Sequence, residues 1–164
     1  MTTEKLKDQM KQAMGRLGAS VTVITSYDGS QKYAMTATAV TSLSLDPPAL
    51  LICVNRNNGL HYALSDGAGF CVNILYKDQQ DISDTCAWKE KGEARFNHGN
   101  WQSSESDIPY LADAQASIFC DLDDSHVYGS HSIFIGKVNK VITREDIAPL
   151  MFVGGDYFSP PKTS

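Results

Sequence analysis

From Val21 to Ile142 the chain is a succession of short β-branched and aromatic runs divided by turn residues. Few of the intervals between those runs can be a helix. Parallel strands need a crossover of a dozen or more residues, usually helical, so strands arranged this way must pair mostly antiparallel. Val21–Thr25 reads as a strand because β-branched side chains suit a pleated surface. The Asp28-Gly29 pair then signals a hairpin, with a return strand from Tyr33 to Val40. Asp46-Pro47-Pro48 marks a strand boundary, since proline donates no ladder hydrogen bond. Ala49–Val54 reads as a buried strand, followed by strands over Gly69–Leu75, Ala116–Leu122 and Ser132–Ile142. Gly136 in the last of these is a bulge or a point of close approach.

The helical signals are few. Leu6, Met10, Ala13, Met14 and Leu17 fall on one face of a helix over Thr3–Leu17, with Thr3 placed to cap it. Asn57 or Asn58 caps a short helix running to Ser65, and Ile82 and Cys86 suggest another over Asp78–Trp88. Lys89–Tyr110 is polar and reads as one long loop, and Pro149–Phe158 as an aromatic tail. The expected class is mainly β with flanking helices, an antiparallel barrel, and one domain over residues 1–164.

The 164 residues are the size of one domain and carry a net charge of −5. No basic run is present, which argues against nucleic acid as a partner. The longest apolar run, Ala49–Val54, is far short of the roughly 20 residues that span a membrane. The N-terminus lacks the apolar core of a signal peptide, so a cytoplasmic protein is expected. Cys53, Cys71, Cys86 and Cys120 form no CxxC pair and are expected as reduced thiols. No GxSxG, HExxH, Walker or complete dinucleotide fingerprint occurs. His126 and His131, read as one strand, fall on opposite faces, so no metal site is expected. Thr36, Thr38, Thr41, Ser42 and Ser44 form a row of hydroxyls beside a turn. Such a row can hold a phosphate or a polar ring edge with neutral hydrogen bonds; it is also what the solvent face of an antiparallel sheet ordinarily carries.

Several segments, in order, carry a resemblance. They are Gly18–Thr25, Met35–Pro48 (with Thr41-Ser42-Leu43-Ser44-Leu45-Asp46-Pro47-Pro48), Leu51–Asn55, Phe70–Leu75, Arg95-Phe96 with Trp101, Gly129-Ser130-His131 with Gly136, and Pro149-Leu150. Across about Met10 to Tyr157 the chain resembles the short-chain flavin reductases, which are FMN-binding split barrels and the reductase components of two-component flavin-dependent monooxygenases. It departs from them in having Ser130 where the family often has Asp, and Asn57, Asn58 and Leu60 where the family often has Ser or Thr. The resemblance implies a Greek-key split β-barrel. It also implies NAD(P)H-dependent reduction of FMN or FAD by hydride transfer, with NADH or NADPH as co-substrate and diffusible reduced flavin passed to a monooxygenase. A homodimer with the flavin near its interface is implied as well.

By the same resemblance, flavin contacts fall on Met35, Thr36, Ala37, Thr38, Ser42, Leu43, Ser44, Cys53, Val54, Asn55, Arg56, Asn58 and His61. His131 is implied as the catalytic residue, near the nicotinamide with Tyr157 and Phe96. Two other readings remain compatible with the residues: a flavin-binding split barrel without reductase activity, and a split-barrel FMN oxidase acting on a small substrate, as pyridoxamine phosphate oxidases do.

Overall fold

The computed structural model describes residues 2–161. Its frame is a seven-stranded antiparallel sheet in the order β3-β2-β6-β9-β10-β5-β4. The strands are β2 (Thr22–Tyr27), β3 (Lys32–Ala37), β4 (Val40–Leu45), β5 (Pro48–Asn55), β6 (Phe70–Ile74), β9 (Ala116–Tyr128) and β10 (His131–Thr143). One core draws side chains from all seven, among them Ile24, Met35, Val40, Ile52, Val72, Cys120 and Phe134. The sheet therefore wraps round on itself. Its edges β3 and β4 are joined through Thr38-Ala39 without pairing to each other, which leaves the barrel split.

The β2–β3 hairpin turns where Asp28-Gly29 predicts it. The Asp28 carboxylate accepts from the backbone N–H groups of Ser30 and Gln31 at 2.8 Å each, and Gly29 takes φ +93°. A short helix, α2 (Gly59–Ser65), is capped by Asn58, whose Oδ1 accepts from Leu60 N at 3.0 Å. It closes one end of the barrel with Leu60 and Leu64.

Strands β2 and β6 are buried on both faces. Ile24 and Val72 point into the barrel, while Val21, Val23 and Cys71 lie under a second layer. That layer explains the long polar segment. Residues Lys89–Tyr110 contain a 3₁₀ turn (Gly92–Asn97) and the strand β7 (Trp101–Ser103), which pairs with β8 (Pro109–Leu111). Phe96, Trp101 and Leu111 cover Val21 and Val23. The segment is thus not one structureless loop. The aromatic tail is likewise a hairpin, β11 (Met151–Val153) with β12 (Asp156–Phe158), paired to β1 (Ala19–Ser20). Before that hairpin, α3 (Gln80–Asp84) runs into a π-turn over Thr85–Lys89.

Asn73 joins the layers. It is fully buried, donates to Val23 O at 2.9 Å, and its Oδ1 accepts from Leu111 N at 2.9 Å and Ser117 Oγ at 3.2 Å. Truncation would leave the Leu111 N–H buried without a partner. Asn73→Ala is expected to lower the unfolding free energy by about 2 kcal/mol, measured by urea denaturation with an unchanged m-value.

Three sequence expectations change. The two last barrel strands are longer than read, 13 residues each, and meet at a tight turn through Gly129 (φ +57°) and Ser130. His126 and His131 therefore lie on neighbouring strands and on the same face, since His126 pairs with Ile133 and His131 with Tyr128. The helix α1 spans Thr3–Met14, is capped by Thr2 rather than Thr3, and buries none of its residues. Finally, β3 stops at Ala37 instead of running to Val40.

Candidate functional site

A cavity of about 750 Å³ opens at the end of the barrel where β5 begins. Its walls are apolar: Val72 and Ile74 of β6, Ile118 of β9, Val138 and Val141 of β10, and Leu50 of β5. Its polar groups are hydroxyls, from Thr22, Thr38, Thr41, Ser42 and Ser44, with Ser20 at the rim. Thr22 Oγ1 donates to Ala37 O at 2.6 Å, Thr41 Oγ1 to Ser42 O at 3.3 Å, and Ser44 Oγ accepts from Asp46 N at 3.1 Å. Among the described residues the hydroxyls of Thr38 and Ser42 have no such internal partner. Among the described residues no charged or histidine side chain lines the cavity.

The local fold sets which hydroxyls arrive. The chain turns at Thr38-Ala39, so Thr36 and Thr38 part company. Thr38 lines the cavity, while Thr36 Oγ1 donates to Ser83 O at 2.6 Å in the outer layer. In β4 the register slips between Ser42, opposite Leu50, and Ser44, opposite Ala49. Both serines line the cavity and Leu43 does not. A bulge bends and twists its strand, and here it shapes the mouth.

The remaining candidate residues lie elsewhere. Met35 and Ala37 pack on the barrel core, and Val54 is wholly buried within it. Cys53 is half-buried on the opposite face of β5, across from Ile133. Asn55, Arg56, Asn58 and His61 gather with His131 at the far end of β5. Arg56 and His61 line a second pocket of about 350 Å³ there, with Asn57, Tyr62, Gly129 and Ser130. Asn55 Oδ1 accepts from Asn57 N at 2.9 Å. His61 Nε2 bonds Ser132 Oγ at 2.8 Å. Burial, with Arg56 nearby, holds its imidazole below the ordinary value. His131 is exposed, with Nδ1 2.8 Å from Ser130 Oγ. Phe96 packs on Trp101 at 5.0 Å between ring centroids. Tyr157 packs on Phe152 at 5.2 Å, and its hydroxyl meets Ser83 Oγ at 2.8 Å and Asp84 Oδ1 at 3.1 Å. Of the sequence candidates, the cavity thus brings together Thr38, Ser42 and Ser44.

The apolar walls Ile74, Ile118 and Val138, and the rim-binding Thr22, were not candidates from sequence. Tyr62 was not one either. The walls belong to recognisable strands, but nothing in the alternation says which inward residues end at an open mouth.

Ligand pockets of about 300–1,000 Å³ with apolar walls and a few placed polar groups suit small cofactors. This donor set fits a flavin: an uncharged, flat ring against the apolar walls, and hydroxyls for the polar edge and ribityl chain. The far pocket, with its guanidinium, suits an anion. Burial pushes the thiols of Cys86 and Cys120 up to about 12 and that of Cys71 up as well, so none is a thiolate nucleophile.

Comparison with known proteins agrees in kind. The family described as flavin reductase like domain matches residues 14–161. The FADH(2)-dependent resorcinol hydroxylase reductase component of Rhizobium sp. (strain MTP-10005) is 38% identical over 159 residues, covering 96% of this chain and 89% of that protein. The FMN reductase (NADH) RutF of Acinetobacter baylyi is 33% identical, covering 92% and 80%. Among solved structures, the NADH:FAD oxidoreductase SgcE6 of Streptomyces globisporus C-1027 superposes with a TM-score of 0.90 at 29% identity, covering 100% of this chain and 98% of that one.

Proposed function

The chain belongs to the flavin reductase-like domain family, and from that premise we propose that it is an NADH-dependent flavin reductase. NADH, a proton and oxidised FMN or FAD yield NAD⁺ and reduced flavin, which leaves for a separate flavin-dependent monooxygenase. The observation that carries this reading is the neutral, apolar-walled cavity with Thr38 and Ser42 presenting free hydroxyls. NADH is favoured over NADPH because two of the similar proteins named above carry NADH in their descriptions.

The flavin supplies the redox chemistry, and the protein supplies position and surroundings. Ile74, Ile118 and Val138 exclude water from one side of the site. Thr38, Ser42 and Ser44 orient the polar edge. Among the described residues no titratable side chain lines the cavity. A neutral hydrogen bond contributes about 1 kcal/mol net, so a few hydroxyls hold a ligand without trapping it. Weak retention suits an enzyme whose product must leave.

The test is anaerobic mixing of the protein with excess FMN or FAD and NADH. Many equivalents of flavin should lose their visible absorbance per protein molecule. Bleaching that stops at one equivalent would favour a flavin-holding module, and no bleaching would overturn the reading.

The homodimer is part of the same proposal. The outer face of β5 and β10 carries half-buried Leu51, Cys53, Ile133 and Ile135 in adjacent register. The α1 helix also presents Leu6, Met10 and Met14, each more than half exposed, along one stripe. A helix this short is marginal without packing, so a second copy is the natural cover for both surfaces. Ile133→Asp places a charge in the middle of the sheet face. It is expected to sediment as a monomer at concentrations where the wild type is dimeric; a monomeric wild type would contradict the proposal.

A further inference from the structure

We propose that Thr22 is a positioning residue for the flavin site. Its hydroxyl clamps the Ala37 carbonyl and so sets the direction in which the chain delivers Thr38 into the cavity. The inference rests on the flavin reductase reading and adds to it a residue that acts through another.

Three observations carry it. First, the hydroxyl stands where packing alone would favour a methyl group. Thr22 is 2% exposed and lies two residues before Ile24, so it shares the barrel-facing side of β2. A buried hydroxyl is costly unless it is bonded. Among the described residues this one makes a single bond, donated to Ala37 O at 2.6 Å. Buried hydroxyls further along the strand serve other layers: Thr25 donates to Pro109 O and Ser26 to Gly69 O. Second, the bond falls where the ladder runs out. Ala37 is the last residue of β3 and the last to pair with β2. Thr38 and Ala39 then cross to β4, at the opposite edge of the sheet. In that crossing Val40 N donates to Thr38 O at 2.9 Å and Cys53 N to Ala39 O at 3.1 Å. Neither bond ties the crossing to β2, so its direction is set at Ala37.

Third, the grip comes from both faces. Thr36 Oγ1 holds Ser83 O in the outer layer at 2.6 Å, while Thr22 holds Ala37 from inside the barrel. Consecutive residues held from opposite faces leave the end of β3 little freedom to twist. Thr38 comes next. It is exposed, lines the same cavity as Thr22, and keeps its hydroxyl free for a ligand. The Thr22 O–H, committed to Ala37, is not available to donate to one. Its part is to hold Thr38 ready before the flavin arrives, which lowers the ordering cost of binding.

The test uses oxidised FMN as the probe, its fluorescence titrated without NADH against the wild type, Thr22→Val, Thr22→Ser, Thr38→Val and the double variant Thr22→Val/Thr38→Val. Thermal unfolding checks that each is folded. Thr22→Val keeps the shape and loses the donor, and the FMN Kd is expected to rise about fivefold, the worth of one neutral hydrogen bond. Thr22→Ser keeps the donor and should restore the wild-type Kd. On the Thr38→Val background, Thr22→Val should cost less than about twofold, because the group it positions is gone. In turnover, the KM for FMN should follow the Kd while kcat at saturating flavin holds. Without ligand, amide exchange at Val40, which donates to Thr38 O, should quicken in Thr22→Val. An unchanged Kd in Thr22→Val would overturn the inference. So would a rise that persists on the Thr38→Val background, since Thr22 would then touch the ligand directly, or one that Thr22→Ser shares. A wild type that binds FMN yet consumes no NADH would defeat the flavin reductase reading alone, because the Kd comparison needs no turnover.

Discussion

Gly136→Ala is expected to lower the unfolding free energy by about 3 kcal/mol, at the upper end for overpacked cores. Gly136 lies in β10, opposite Leu50 of β5 and Leu122 of β9, next to the register shift after Ile135. A β-carbon there would overlap Phe70 Cζ and stand 2.7 Å from Cys120 Cβ. Phe70 is wholly buried in the barrel core, and a Cβ cannot move without its backbone, so neither neighbour can yield cheaply. The cost reaches the site as well, because Leu50 and Val138 line the cavity on the two strands that Gly136 joins. Urea unfolding of the variant measures the effect. A loss under about 1 kcal/mol would mean that the bulge relaxes enough to admit the methyl group.

Ser42→Trp is expected to raise the flavin KM by about tenfold or more, which is about 1.4 kcal/mol or more of binding, while stability changes little. Ser42 is exposed on the edge strand β4 and lines the cavity. An indole there occupies the ring's space and removes a hydroxyl without entering the core. Surface substitutions of this kind usually change stability by about 0.5 kcal/mol or less. An unchanged flavin KM in a variant that folds normally would place the flavin elsewhere, and the far pocket around Arg56 would be the next place to look.

Much of the frame was legible because its signals are local. Asp28-Gly29 fixed one hairpin, Asn58 capped its helix, and Gly136 marked a close approach. The β9–β10 hairpin was cut short in the reading because its outer half, Asp123–Tyr128, is polar and exposed. Alternation of buried and exposed residues, the usual strand signal, fades where neither face is covered. That same shortening set His126 and His131 on opposite faces when a turn at Gly129 brings them to one. The segment Lys89–Tyr110 looked like a loop because its few apolar residues, among them Phe96, Trp101 and Ile108, are spread out, yet each packs on a buried cluster outside the barrel. The α1 stripe was legible as a helix face, but nothing in the described chain covers it.

The site was half legible. The hydroxyl row singled out Thr38, Ser42 and Ser44, which the cavity collects. It also included Thr36, because a regular strand would put Thr36 beside Thr38. The chain breaks its strand between them, and Thr36 ties to Ser83 instead. A period-two argument holds only while the ladder does, and here both a break and a bulge fall within eight residues of each other. His131, Tyr157 and Phe96 came from family resemblance. They lie away from the cavity, His131 at the far end of β5 and the two aromatics in the second core.

The central claim is that a neutral cavity serves a flavin that comes and goes. The measurement that tests it most directly is the rate of NADH consumption by the purified protein as free FMN or FAD is raised from zero. Almost no consumption is expected without flavin, a saturable rise with it, and a slower rise for Ser42→Trp. No consumption at any flavin concentration, or a rate that ignores added flavin, would contradict it.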